Sequence, residues 1–260
     1  MEVHHSHHAS HTKKWTSYLL EFLMLFLAVF LGFVAENIRE HVVEKRRAKE
    51  YAIGLLTDMK KDVAELDQSI SYDSATAVMI DSLVHFITKV NIQSNSGQFY
   101  WLFRMASGLY ITDWNKATIN QLINSGSLRY FTNAELVNKL NTYNTLASTL
   151  SSMQQTISNR RDRTLIYSDQ IFIPEYLLLY TQFSSEDILA QKKSAITDSL
   201  KNLHPPLQNN APDLINSLGN SLLASRQNRS RLLTTLYPEA KEMAKEIIDL
   251  IKKEYHLKYD

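Results

Sequence analysis

The chain has 260 residues, with 28 Lys and Arg against 27 Asp and Glu and a formal charge of +1. At 44% hydrophobic and 21% charged residues it has neither the composition of a disordered chain nor the basic excess of a nucleic-acid binder. Six Gly and five Pro, against roughly 18 and 13 in an average chain of this length, supply too little turn chemistry for a fold of many hairpins, while zero Cys excludes disulfides and thiol catalysis.

The composition predicts an all-α fold. At its start, His4, His5, His7, His8 and His11 fall within a histidine-rich tail over residues 1–14. Such a tract is compositional rather than geometric, so it predicts a flexible segment whose imidazoles are weak candidates for Zn, Ni or Cu binding or for pH sensing. Residues 19–35 then carry a single charge, and Trp15 and Tyr18 precede them as an interfacial belt would. Residues 15–35 cover the hydrocarbon core at about 1.5 Å per residue, and Phe33 spoils the small-x-small pattern before Ala35, so the segment predicts one uncleaved transmembrane helix. Lys13 and Lys14 precede the span, whereas Arg39, Lys45, Arg46, Arg47 and Lys49 follow it, a count that puts the C-terminal domain in the cytoplasm. Glu21 is the ionisable residue inside the span. It is either an ion-coupling carboxylate working with a multi-span partner, or an acid held near the headgroups.

Residues 36–95 read as a long helix continuing from the membrane segment. Its apolar positions Ala52, Leu56, Met59, Val63, Leu66, Ile70, Ala77, Ile80, Val84 and Ile87 advance by fours and threes, with Asp73 the polar occupant. This is a heptad-like seam, suited to burial against the chain's own domain or, as a coiled coil, against a second copy in a homo-oligomer. Residues 96–260 predict an antiparallel helical bundle. Tyr100, Trp101, Phe103, Tyr110 and Trp114 suit a core better than a ligand pocket. Helices are expected at 116–124 and 133–164, the second ending in Arg160, Arg161, Asp162 and Arg163, whose cations would lie near its negative pole. Pro174 interrupts 171–183, residues 204–212 form a loop, and Pro212 and Pro238 open final helices at 213–237 and 239–255.

Ser125, Gly126, Leu128, Phe131, Asn133, Glu135, Leu136 and Tyr143 follow a pattern of Ser-Gly, Leu, an apolar residue, Asn, Glu-Leu and an aromatic. With Glu21 early in the membrane helix and Asn37 and Arg39 just past it, the chain resembles a family of uncharacterised single-pass membrane proteins of Bacteroidetes-type bacteria. The resemblance is strong at 15–60 and 117–143 and weak after 165, and the His-rich start departs from the basic stretch common in that family. It implies an inner-membrane anchor with an exported, periplasmic helical domain, the reverse of the Lys/Arg count, and it implies no activity. Locally, Gly126 suits a left-handed helix cap and Asn133 a helix start. No phosphate loop, dinucleotide fingerprint, nucleophile elbow or zinc motif occurs, so neither an enzyme nor a cofactor is expected. The sequence therefore points to a scaffold or assembly role with the lipid bilayer as partner. An ion-coupling subunit using Glu21 and a metal or pH sensor using the tail are the alternatives.

Overall fold

The computed structural model describes residues 15–183 and 195–257. The histidine-rich residues 1–14 lie outside the described residues. Every regular element among the described residues is helical: α1 (Trp15–Lys89), α2 (Ser96–Ala106), α3 (Ala117–Asn124), α4 (Ala134–Ile171), α5 (Pro174–Leu178), α6 (Ala195–Lys201), α7 (Pro212–Arg231) and α8 (Tyr237–Tyr255). Tight 3₁₀ turns at Gln93–Asn95 and Ser127–Tyr130 lead into α2 and close α3. Helix α1 contains no Pro and two Gly, so nothing in its backbone chemistry interrupts it.

The chain divides into two compact units, residues 1–50 and 51–260. In the first, the side chains of 15–35 face outward almost throughout. Phe22 is 65% exposed, Phe33 73%. This is the one helix among the described residues long and apolar enough to cross a membrane. Beyond it, Glu36 and Arg39 form an exposed ion pair, as do Arg46 and Glu50.

The second unit buries the seam of α1 within itself. Ala52, Leu56, Met59, Leu66, Ala77 and Ile80 are buried, and Val63, Ile70, Val84 and Ile87 are half-covered. Their cover comes in two apolar clusters. One joins Leu55, Met59 and Leu66 of α1 to Leu122 of α3, Leu140 of α4 and Ile247 of α8. The other joins Ile80, Leu83 and Phe86 of α1 to Phe99 and Phe103 of α2, to Phe172 at the end of α4 and to Leu218 of α7. Here the rings of Phe99 and Phe172 lie 4.9 Å apart and those of Tyr100 and Tyr180 lie 5.5 Å apart, distances at which aromatic pairs attract.

Along α1, α4 and α7 the two apolar clusters give way to polar side chains at one shared level. Ser69, Asp73 and Thr76 of α1, Gln154 and Thr164 of α4, and Ser225 and Arg229 of α7 are all buried there. Asp73, the polar occupant of the seam, marks this layer in the sequence.

Two expected boundaries move. Helix α4 runs on to Ile171 because no Gly or Pro intervenes before Pro174. Arg160 to Arg163 therefore sit inside a helix rather than at its end, and Arg161 Nε donates to the Ser107 carbonyl at 2.8 Å. At Pro238 the expected break is absent. A π turn at Leu232–Leu236 carries α7 directly into α8. Proline has no N–H to give and its ring crowds the carbonyl four residues back, here that of Thr234, so a widened turn lets the chain pass without a loop.

Candidate functional site: a buried polar ladder on α1

Beside its apolar seam α1 carries Asp58, Asp62, Glu65, Ser69 and Asp73, spaced by four, three, four and four residues and hence aligned on one face. Residues 107–116, which form no helix, lie along that face. A segment without secondary structure must find partners for its N–H groups elsewhere, and this face supplies them. Asn115 donates its backbone N–H and its Nδ2 to Asp62 Oδ1, at 2.8 and 3.2 Å. Asp113 N–H and the Tyr110 hydroxyl donate to Glu65 Oε1, at 3.1 and 2.8 Å. The hydroxyls of Ser69 and Thr112 meet at 2.8 Å. Thr118 N–H, an orphan donor in the first turn of α3, reaches Asp58 Oδ2 at 3.1 Å, so a carboxylate from another helix caps α3 and favours its positive end.

The ladder runs into the polar layer at Asp73. Arg229 Nε donates to Asp73 Oδ1 at 3.0 Å and the Tyr237 hydroxyl donates to Oδ2 at 2.8 Å. The remaining Arg229 nitrogens reach the Gly108 carbonyl, at 2.7 Å, and the Ser225 hydroxyl. Gln154 donates to both Tyr237 and Thr112 and so ties α4 to the same network. Arg229 is 2% exposed, and each of its three guanidinium nitrogens has an acceptor, the condition for keeping an ion pair in a core.

Asp62 differs in having no cation beside it. It is 1% exposed, and besides Asn115 its partner is the Tyr143 hydroxyl, which donates to Oδ2 at 2.7 Å. Burial raises the Asp62 carboxyl above the ordinary aspartate value of 3.8, the neighbouring Asp58 adds to the rise, and the hydrogen bonds from Asn115 and Tyr143 oppose it. At Asp73 burial also raises the carboxyl, and there the Arg229 charge works against the rise. Burial and the Asp62 charge push the Tyr143 phenol up, which keeps it a donor.

The sign for Asp62 follows from linkage. Its folded value lies above its unfolded one, so the folded chain holds the proton more tightly; the stability it contributes is fully present below 3.8 and is lost as pH rises through the folded value. Denaturant unfolding of wild type and Asp62→Asn between pH 7 and pH 4 is expected to show the difference shifting in favour of wild type as pH falls. Parallel curves would show that Asp62 titrates as it does in the unfolded chain.

Chemically, this arrangement holds and does not open. A void of about 10 Å³ beside Ser107, Gly108, Arg161 and Arg229 has room for one water. No group of three His, Asp or Glu side chains suited to a metal ion occurs among the described residues. The network's effect is to fix residues 107–116 and helices α4, α7 and α8 against α1.

The residues singled out in the sequence fall in several places. His4, His5, His7, His8 and His11 lie outside the described residues. Glu21 sits on α1 among the exposed apolar side chains of the first unit. Gly126 has φ 66° and follows α3 in the left-handed conformation expected of it. The Ser125 hydroxyl donates to the Gln121 carbonyl at 2.6 Å and meets the Ser127 hydroxyl at 2.7 Å. Asn133 Oδ1 accepts from Leu136 N–H at 3.1 Å and caps α4, with Glu135 exposed in its first turn. Phe131 and Leu136 are buried and Leu128 packs against the same cluster. Tyr143 joins this corner to the ladder through Asp62. Of the aromatics, Tyr100 and Phe103 enter the core with Phe172, whereas Trp114 packs edge-on against Tyr143.

Sequence reasoning noticed Asp73 alone among the ladder residues. The usable signal was the run of acids and a serine at helical spacing beside an apolar seam, a pattern that an exposed helix face shows equally. Compared with known proteins, the chain matches no family model, no curated protein and no solved structure.

Proposed function

We propose that this chain is a single-pass protein of the bacterial inner membrane whose helical domain serves as a scaffold or assembly element on the periplasmic side. The observation that carries this reading is a contrast in burial. Residues 15–35 expose nearly all their large apolar side chains, whereas in the described residues 51–183 and 195–257 most of them are covered by the chain's own helices and only scattered ones, such as Ile111 and Ile166, are exposed. An uncovered apolar helix of that length needs the hydrocarbon of a bilayer, and a self-sufficient domain needs none.

The domain is an antiparallel bundle in this reading. Its side-chain rungs pair Lys139 with Glu246, Gln154 with Tyr237 and Thr164 with Ser221, numbers that rise on α4 as they fall on α7 and α8. The periplasmic placement rests on the resemblance at 15–60 and 117–143, since a long domain translocates largely regardless of the charges beside its anchor. No catalytic step belongs to the reading. The buried carboxylates are engaged, Asp58 and Asp62 in holding backbone and Asp73 by Arg229 and Tyr237.

A cysteine-free chain makes the topology test direct. A single Cys placed at the exposed Asn209 is expected to react with an impermeant maleimide in cells whose outer membrane alone is permeabilised. Labelling only after the inner membrane is lysed would put the domain in the cytoplasm. Recovery of the full chain in the soluble fraction would remove the anchor itself.

A further inference from the structure

Where the 3₁₀ turn Gln93–Asn95 and the start of α2 meet the loop 204–211, the surface opens into a cavity of about 370 Å³. That volume is in the range of small-molecule sites. Gln93, Ser96, His204, Gln208, Asn209 and Asn210 line it, with Pro205 and Pro206 as apolar wall, and no Asp, Glu, Lys or Arg takes part. Ser96 is 2% exposed, and its hydroxyl has no hydrogen-bond partner. A buried hydroxyl left unmatched carries a desolvation cost.

The loop is held in place by its backbone. Gly97 N–H donates to the Leu203 carbonyl at 3.1 Å, the Tyr100 hydroxyl to the Pro206 carbonyl at 3.0 Å, and Gln208 N–H to the Ile171 carbonyl at 2.9 Å. Asn209 Oδ1 accepts from Ala211 N–H. Main-chain groups thus do the anchoring, and the carboxamides of Gln93, Gln208 and Asn210 are left to present a donor and an acceptor each. A second cavity of about 270 Å³ shares Gln93 and Asn210 and adds Asn91 and Asn216 beside Ile87, Val90, Ile92 and Ile215, so the surface beyond the first cavity is more apolar.

We infer that this cleft binds a neutral saccharide. With no Asp, Glu, Lys or Arg in the wall and His204 its one titratable side chain, an ionised ligand would find no permanent charge to pair with. A peptide would want a sheet edge, an apolar helix groove or an aromatic-lined groove, and the cleft offers none of these. Sugar hydroxyls on adjacent carbons, each able to give and accept, match a set of carboxamides, and the ring's C–H face matches Pro205 and Pro206. The inference stands on this cleft alone and is independent of the membrane anchor.

The test uses the full chain in a non-glycosidic detergent, titrated calorimetrically with cellobiose, maltose and N,N′-diacetylchitobiose. One of the three is expected to bind saturably, and Gln208→Ala with Asn210→Ala is expected to weaken it about tenfold or more, the worth of about one hydrogen bond. No saturable binding of any disaccharide, binding indifferent to the double variant, or equal binding of an uncharged dipeptide amide or of a uronic acid would each overturn the assignment.

Discussion

Replacing Arg229 with Met is expected to cost about 3–5 kcal/mol of stability, because it leaves the Asp73 carboxylate buried without its cation. Asp73 and Arg229 are 5% and 2% exposed in their side chains, so water cannot substitute for the lost partner. The Gly108 carbonyl and the Ser225 hydroxyl lose donors in the same step. Met is close to the Arg stem in volume, so packing contributes little to the loss. Adding Asp73→Asn removes the stranded charge, and the double variant should regain a large part of what Arg229→Met loses. Urea unfolding of the two single variants and the double variant measures both quantities. A double variant no more stable than Arg229→Met alone would show that the loss comes from packing, and an Arg229→Met within about 0.5 kcal/mol of wild type would show that the pair is open to solvent.

A second large effect is expected at Leu66. It is fully buried in the apolar cluster that joins α1 to α3, α4 and α8. Leu66→Lys places an ammonium among apolar side chains, where the buried acid one turn away, Asp62, is already engaged by Asn115 and Tyr143, at an expected cost of about 4 kcal/mol or more. Leu66→Met keeps volume and polarity and should cost less than about 1.5 kcal/mol. The comparison separates burial from shape. If Lys is tolerated as well as Met in thermal unfolding, the α1 seam is not covered by the chain's own helices, and the alternative of a seam shared between copies regains its ground.

Much of the architecture is legible from local chemistry. The alternation of fours and threes from Ala52 to Ile87 marks the inner face of α1 because apolar side chains at that spacing align on one side of a helix. Gly126 and Asn133 announce the end of α3 and the start of α4 because each satisfies a backbone requirement that few residues meet. The ladder is hidden for the opposite reason. Asp58, Asp62 and Glu65 look like a solvated face until residues some 50 to 60 positions later lie across them, and no local pattern records a contact at that distance. The carboxamide cleft is hidden in the same way, since Ser96 and Asn210 meet only in the fold.

The π turn between α7 and α8 has a geometric effect on the buried ion pair. In an uninterrupted α-helix each residue advances about 100°, so two residues eight apart point some 80° away from one another. Arg229 and Tyr237 are eight apart, yet both reach the single carboxylate of Asp73. A π turn accommodates roughly one extra residue in its circuit, which reduces the effective separation to seven and the angular offset to about 20°. The widened turn is therefore a phase correction: it brings a guanidinium from one helix and a phenol from the next onto the two oxygens of one acid.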